Sequence, residues 1–290
     1  MVMILALAAA LLYGPADFLG GLATRRARVL AVLPLSVTAG SAVLVTGALL
    51  SGQSLPSAGL AWGVASGAFG GVGLIIFYAG LAIGPMSVVA PVSALMSTVV
   101  PVGVALAEGE RASMAVYAGA LLCLIAIVLV SSPSPSGTAG TGDGAKSSGS
   151  RFHGRAVAFG AGAGTAFGLF FLFLRNAGES GTLWPVSAAK LAGLLVILIA
   201  ASVTRTRPVF IGASRGLLLA TVAAGVLDAS ANICYLLATR AGLFGLAVVL
   251  TSLYPGITVL LARLTLGERL RLAQLAGLVI AGLGVVLVTA

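Results

Sequence analysis

Residues 242–272 read GLFGLAVVLTSLYPGITVLLARLTLGERLRL. The stretch is a long apolar run that holds Pro255 and closes on Gly267, Glu268 and a basic turn. Moved back by 158 residues, it falls on 84–112, GPMSVVAPVSALMSTVVPVGVALAEGERA. Gly84 meets Gly242, Gly109-Glu110 meets Gly267-Glu268, and Arg111 meets Arg269, without a gap. The register continues upstream, where Leu60 meets Leu218, Ala65 meets Ala223, Gly67 meets Gly225 and Ile75 meets Ile233. A fixed internal period is the signature of a duplicated structural unit.

Composition says where that unit lives. Hydrophobic residues make up 59% of the chain and charged residues 8%. Soluble domains carry roughly a quarter charged residues. The chain reads as an all-α integral membrane protein. Its net charge of +9 is divided among clusters between apolar runs. That is how membrane orientation is encoded; nucleic-acid binding needs a continuous basic face. Cys123 and Cys234 sit inside apolar runs and read as small buried hydrophobes. The single histidine, His153, lies in a polar stretch, and no metal-ligand spacing or cofactor motif is present in the sequence.

A membrane helix needs about 20 apolar residues. Ten candidate spans satisfy this, near 3–23, 29–50, 58–81, 86–107, 112–130, 156–174, 183–203, 217–238, 243–266 and 272–289. Barrel strands are shorter and alternate, so the runs read as helices. The first run lacks the basic start of a signal peptide and continues through Tyr13 and Phe18, so it reads as helix one. Residues 131–153 are rich in Ser, Gly and Pro and read as a flexible linker between halves 1–130 and 154–290.

Five helices per half reverse the direction of the second copy. The expected architecture is therefore ten transmembrane helices as two inverted five-helix repeats, an arrangement typical of alternating-access carriers. Twelve basic residues gather on one side: Arg25, Arg26, Arg28, Lys146, Arg151, Arg155, Arg205, Arg207, Arg215, Arg263, Arg269 and Arg271. Arg111, Arg175 and Arg240 lie on the other. The positive-inside rule puts the first group and the linker in the cytoplasm and both termini outside a cytoplasmic membrane.

Ionisable residues within membrane helices are functional candidates by default. Asp17, Lys190 and Asp228 are the three. At 1.5 Å per residue, Lys190 lies roughly 10–12 Å and Asp228 roughly 14 Å below the outer boundary. Similar depth on consecutive antiparallel helices predicts an ion pair, either facing a central cavity or clamping the helices together. Neither charge is duplicated: Gly70 stands at the position of Asp228, and Val32 or Ser36 near that of Lys190. Asn232 shares a helical face with Asp228. Tyr235 and its counterpart Phe77 are candidate cavity residues. Asp17, beside Pro15, reads either as part of a hinged gate or as a partner that neutralises Arg25 and Arg26. Glu110 and Glu268 end apolar runs beside arginines and read as structural caps. The glycine series at 63, 67, 70 and 73, and at 160, 162, 164 and 168, read as close-packing faces. An aromatic fraction of 6% argues against a broad aromatic cage.

The spacing from Pro255 to Gly267-Glu268-Arg269 resembles the EamA family of the drug/metabolite transporter superfamily. In the first copy Gly109, Glu110 and Arg111 match, but Ser97 replaces the proline, with Pro91 and Pro101 nearby. The resemblance covers nearly the whole chain outside the linker. It implies ten helices in two inverted repeats and secondary transport of a small metabolite or drug-like molecule, by exchange or with protons. The expected partners are that small-molecule substrate, protons and the lipid bilayer, with the chain a monomer or weak homodimer. A membrane enzyme, channel or scaffold is the alternative. Against an enzyme, the sequence has no histidine cluster and no phosphate loop; a channel asks for rings of charge or carbonyls about a symmetric pore.

Overall fold

The structure is a computed structural model that describes residues 1–52, 57–83, 86–109, 114–130, 143–177, 183–206, 214–266 and 272–289. These residues form α1 (Val2–Arg26), α2 (Val29–Leu50), α3 (Ser57–Ile83), α4 (Met86–Ala107), α5 (Met114–Val130), α6 (Asp143–Ala177), α7 (Leu183–Val203), α8 (Arg215–Arg240), α9 (Phe244–Thr251), α10 (Tyr254–Leu266) and α11 (Leu272–Thr289). Seven spans among them are long and apolar enough to cross a membrane, α9 and the start of α10 counting as one. The protein is an all-helical, multi-pass membrane protein.

Two elements differ from the sequence reading. The expected span 243–266 is divided into α9 and α10 at Ser252 and Leu253. Pro255 explains the break. It has no N–H to donate and stands in the first turn of α10, the position that suits proline best, although Pro15 and Pro34 are accommodated inside the unbroken α1 and α2. The matching α4 has Ser97 in that position and runs unbroken from Met86 to Ala107. Its Thr98 hydroxyl donates to Ser252 Oγ at 2.6 Å, tying the intact helix to the break. The second difference is α6, which begins at Asp143 and so takes in 143–153 of the expected linker.

Helix pairing follows a regular scheme. α3 packs on α6 and α7; α8 packs on α1 and α2. α4 meets α6, and α9 and α10 meet α1. α2 also packs on α7, and α5 on α11. Exchanging each helix of the first half for its counterpart in the second returns the same set of pairs. Glycines set the closest approaches. A Cβ at Gly67 would land on the Ala189 carbonyl, and one at Gly225 on the Ser36 carbonyl. Gly40 lies against the Gly225 carbonyl and Gly193 against that of Gly67. Side chains are excluded there because backbones touch, the packing mode of membrane helices. Gly160, Gly164 and Gly168 do the same for α6 against α4.

Of the repeated Gly-Glu dyads, Gly109 ends α4 at a φ of 81°, in the left-handed region that favours glycine. Glu110, Gly267 and Glu268 lie outside the described residues.

Candidate functional site

Three helices carry the charged residues of the bundle centre and the groups hydrogen-bonded to them. On α1, Tyr13 and Asp17 stand one turn apart and share a face. On α8, Asp228 and Asn232 do the same. Lys190 projects from α7. The Tyr13 hydroxyl donates to Asn232 Oδ1 at 2.8 Å. Asn232 Nδ2 donates to the Asp228 carbonyl at 2.6 Å and lies 3.4 Å from Asp228 Oδ1. Lys190 Nζ donates to Asp228 Oδ2 and forms an ion pair with it. A continuous chain thus runs Tyr13–Asn232–Asp228–Lys190. Its members span both halves of the molecule, with α2 packed against both α7 and α8.

The pair is asymmetric. The Lys190 side chain is 8% exposed and that of Asp228 25%. The ammonium is sealed, while the carboxylate keeps a face on open space. That space is a cavity of about 610 Å³, mouth included. Tyr13, Phe167, Phe170, Phe171 and Tyr254 supply aromatic walls, and Gly67, Gly70, Gly71 and Gly193 supply backbone. Asp17 lines the same cavity. It makes no hydrogen bond or ion pair with any described residue.

The structure therefore brings Asp17, Lys190, Asp228 and Asn232 together around one cavity. It corrects the reading of Asp17 as a partner for Arg25 and Arg26. Those arginines lie eight and nine residues further along α1, at least about 12 Å at 1.5 Å per residue, and neither pairs with it. Tyr235 is also corrected. It points along the Asp228 face of α8 but two turns on, where Phe171 covers it with ring centroids 4.5 Å apart. Its hydroxyl donates to the Phe171 carbonyl at 3.4 Å. Phe77 is likewise hidden behind Phe167, at 5.8 Å. Neither ring reaches the cavity surface.

Sequence reasoning missed the aromatic walls. Only 6% of residues are aromatic, yet five rings converge here. The spacing carried the signal: Phe167, Phe170 and Phe171 fall at i, i+3 and i+4, as do Gly67, Gly70 and Gly71. The close approaches also identify the counterpart of Lys190. Gly40 takes the place of Gly193, so Val37 takes that of Lys190, one residue beyond Ser36. Val37 and Gly70 both line the cavity. At these two repeat-matched positions the first copy gives the cavity uncharged residues, Val37 and Gly70, and the second gives Lys190 and Asp228.

At the end of the bundle where α6 stops, Arg175 pairs with Glu108 at 2.6 Å and lies 4.3 Å over the Phe244 ring. Phe171, Tyr235, Leu236 and Phe244 belong to one buried apolar cluster beneath it. Among the described residues, no group of acidic, histidine and cysteine side chains is placed to hold a metal ion.

Residues 154–290 match the family model described as the EamA-like transporter family. Residues 154–290 belong to the EamA family. The chain is a membrane protein of a transporter family. None of the curated proteins matches the chain. A solved crystal structure superposes on it with a TM-score of 0.74 and 19% identity, over 99% of this chain and 96% of that one. At that identity the likeness speaks for the fold alone, and it extends over the first half, which the family match does not cover.

Proposed function

We propose that this EamA protein is a secondary transporter of a small metabolite or drug-like molecule, with the central cavity as its substrate site. The observation that carries the reading is the cavity itself. Both halves build it, and Lys190, Asp228, Asn232 and Asp17 supply its polar groups. Charge held inside a membrane bundle marks a pathway more often than a scaffold. The exchange-symmetric helix pairs support two inverted five-helix repeats, ten membrane passes in all, that rock about the cavity. The break between α9 and α10 and the apolar cluster under Arg175 are the parts that would move. Substrate, protons and lipid are the partners of this account, and the chain works as a monomer or weak homodimer. It sits in the cytoplasmic membrane with its basic loops inside and both termini outside. No chemical conversion is proposed.

The test is a metabolite-binding screen by thermal shift on purified parent, Lys190→Ala, Asp228→Ala and the reversed pair Lys190→Asp/Asp228→Lys. A ligand raises the melting temperature of the state it binds. A compound that stabilises the parent, but none of the folded variants, supports the site. Binding that survives in all three places substrate elsewhere. Counterflow of the same compound in proteoliposomes separates a carrier from a channel, and recovery of a product of altered mass would reveal an enzyme.

A further inference from the structure

The charges and hydrogen-bond donors of the cavity do not balance, and the imbalance has one sign. Lys190 and Asp228 neutralise each other. Asp17 faces the same space with no hydrogen bond or ion pair to any described residue. Taken with ionised carboxylates, the cavity holds one negative charge in excess. Among its neutral groups Tyr13 and Asn232 have their donors in use, while the Tyr254 hydroxyl can donate or accept. Tyr13 gives its only proton to Asn232, and the Asn232 amide is turned toward Asp228. What these groups have left to offer a guest is acceptor lone pairs. The walls point the same way: five rings surround the site, and the face of an aromatic ring attracts cations. The glycines of α3 add an apolar surface without side chains.

We infer that the cavity takes a small organic monocation, an ammonium on a compact apolar body, with Asp17 as its counter-ion. This rests on the cavity being the substrate site and names the class of ligand it takes. An anion would have to draw Lys190 away from Asp228 while facing two carboxylates. A zwitterion would meet the same obstacle at its carboxylate end. A monocation needs no such rearrangement: its charge meets Asp17, its N–H groups meet free acceptors, and its body lies among the rings. Asp17 is the residue that distinguishes charge, and the Lys190–Asp228 pair keeps the rest of the wall neutral.

The experiment uses the full-length protein in nanodiscs and four probes with one body and four charges. They are 2-phenylethylammonium, 3-phenylpropionate, phenylalanine and 2-phenylethanol. Binding is measured by calorimetry at neutral pH, on the parent, Asp17→Asn and Asp17→Glu. The ammonium is expected to bind the parent at least about tenfold more tightly than the other three, the effect of one charge-assisted contact. Asp17→Asn is expected to lose that preference and Asp17→Glu to keep most of it. Unliganded Asp17→Asn should melt no lower than the parent, since no partner is left behind. Tighter binding of the propionate or of phenylalanine overturns the inference and leaves the transport site standing. Unchanged ammonium binding in Asp17→Asn overturns the role of Asp17. If no probe binds the parent up to about 10 mM, weaker than any useful site, the ligand class is wrong; the metabolite screen on the reversed pair then decides separately whether the cavity is the site.

Discussion

Lys190 shows what a single residue can and cannot reveal. Its presence in an apolar run predicts a partner, and the structure supplies Asp228. Losing one member of a buried pair strands the other, at a cost of about 3–5 kcal/mol. Asp228 keeps a quarter of its side chain exposed, so Lys190→Ala should fall toward the low end of that range. The double variant Lys190→Met/Asp228→Leu should recover most of the loss, because replacing both charges removes the stranded group. Melting curves of the three proteins check this; a double variant less stable than either single one would contradict it. Asp17 carries a different prediction. A carboxylate holds a cation only when ionised, so binding of 2-phenylethylammonium should weaken as pH falls. The groups facing Asp17 are Tyr78 on α3, Lys190 on α7, Asp228 on α8 and Tyr254 on α10, beside Tyr13 on α1. Asp17→Asn is expected to flatten the pH profile; a profile that survives in Asp17→Asn would contradict the role of Asp17.

At the scale of elements, glycine positions decide how closely helices meet. A Cβ at Gly225 or Gly67 would press into a backbone carbonyl of the facing helix. Gly225→Ala and Gly67→Ala should each cost about 1–3 kcal/mol, the usual penalty of overpacking. Gly47 is the control: it sits within α2 with nothing within 4 Å of its would-be Cβ. Gly47→Ala should be neutral or stabilising by up to about 1 kcal/mol, the helix-propensity gain. Equal losses at all three sites would contradict the packing account. The sequence made the glycine faces legible because their spacing is periodic. The partners of those faces were not legible, since spacing along one helix says nothing about the helix opposite. The same limit hid the five aromatic walls and misplaced Tyr235. It stands on the correct face of α8, but Phe171 from another helix covers it. The break at Pro255 was legible as a weak point, because a missing N–H is a local property.

For the whole molecule, the duplication was the strongest sequence signal and also the most informative about the site. It placed Gly70 opposite Asp228 in register, and both line the cavity. It missed Val37, which lies five residues past Val32 and one past Ser36, because the connections between helices differ in length between the copies. Membrane orientation is a separate prediction. Reporter fusions after Arg28 and Arg205 should report the cytoplasm and a fusion at residue 290 the outside; the reverse pattern would overturn the assignment from basic residues. The central claim is that the cavity is a carrier site reached from each side in turn. Its most direct test needs no substrate. A cysteine-free protein (Cys123→Ala, Cys234→Ala) carrying Val37→Cys is placed in vesicles of each orientation. A membrane-impermeant maleimide is then added outside. Alternating access predicts labelling in both orientations; labelling in one orientation only, or in neither, would contradict it.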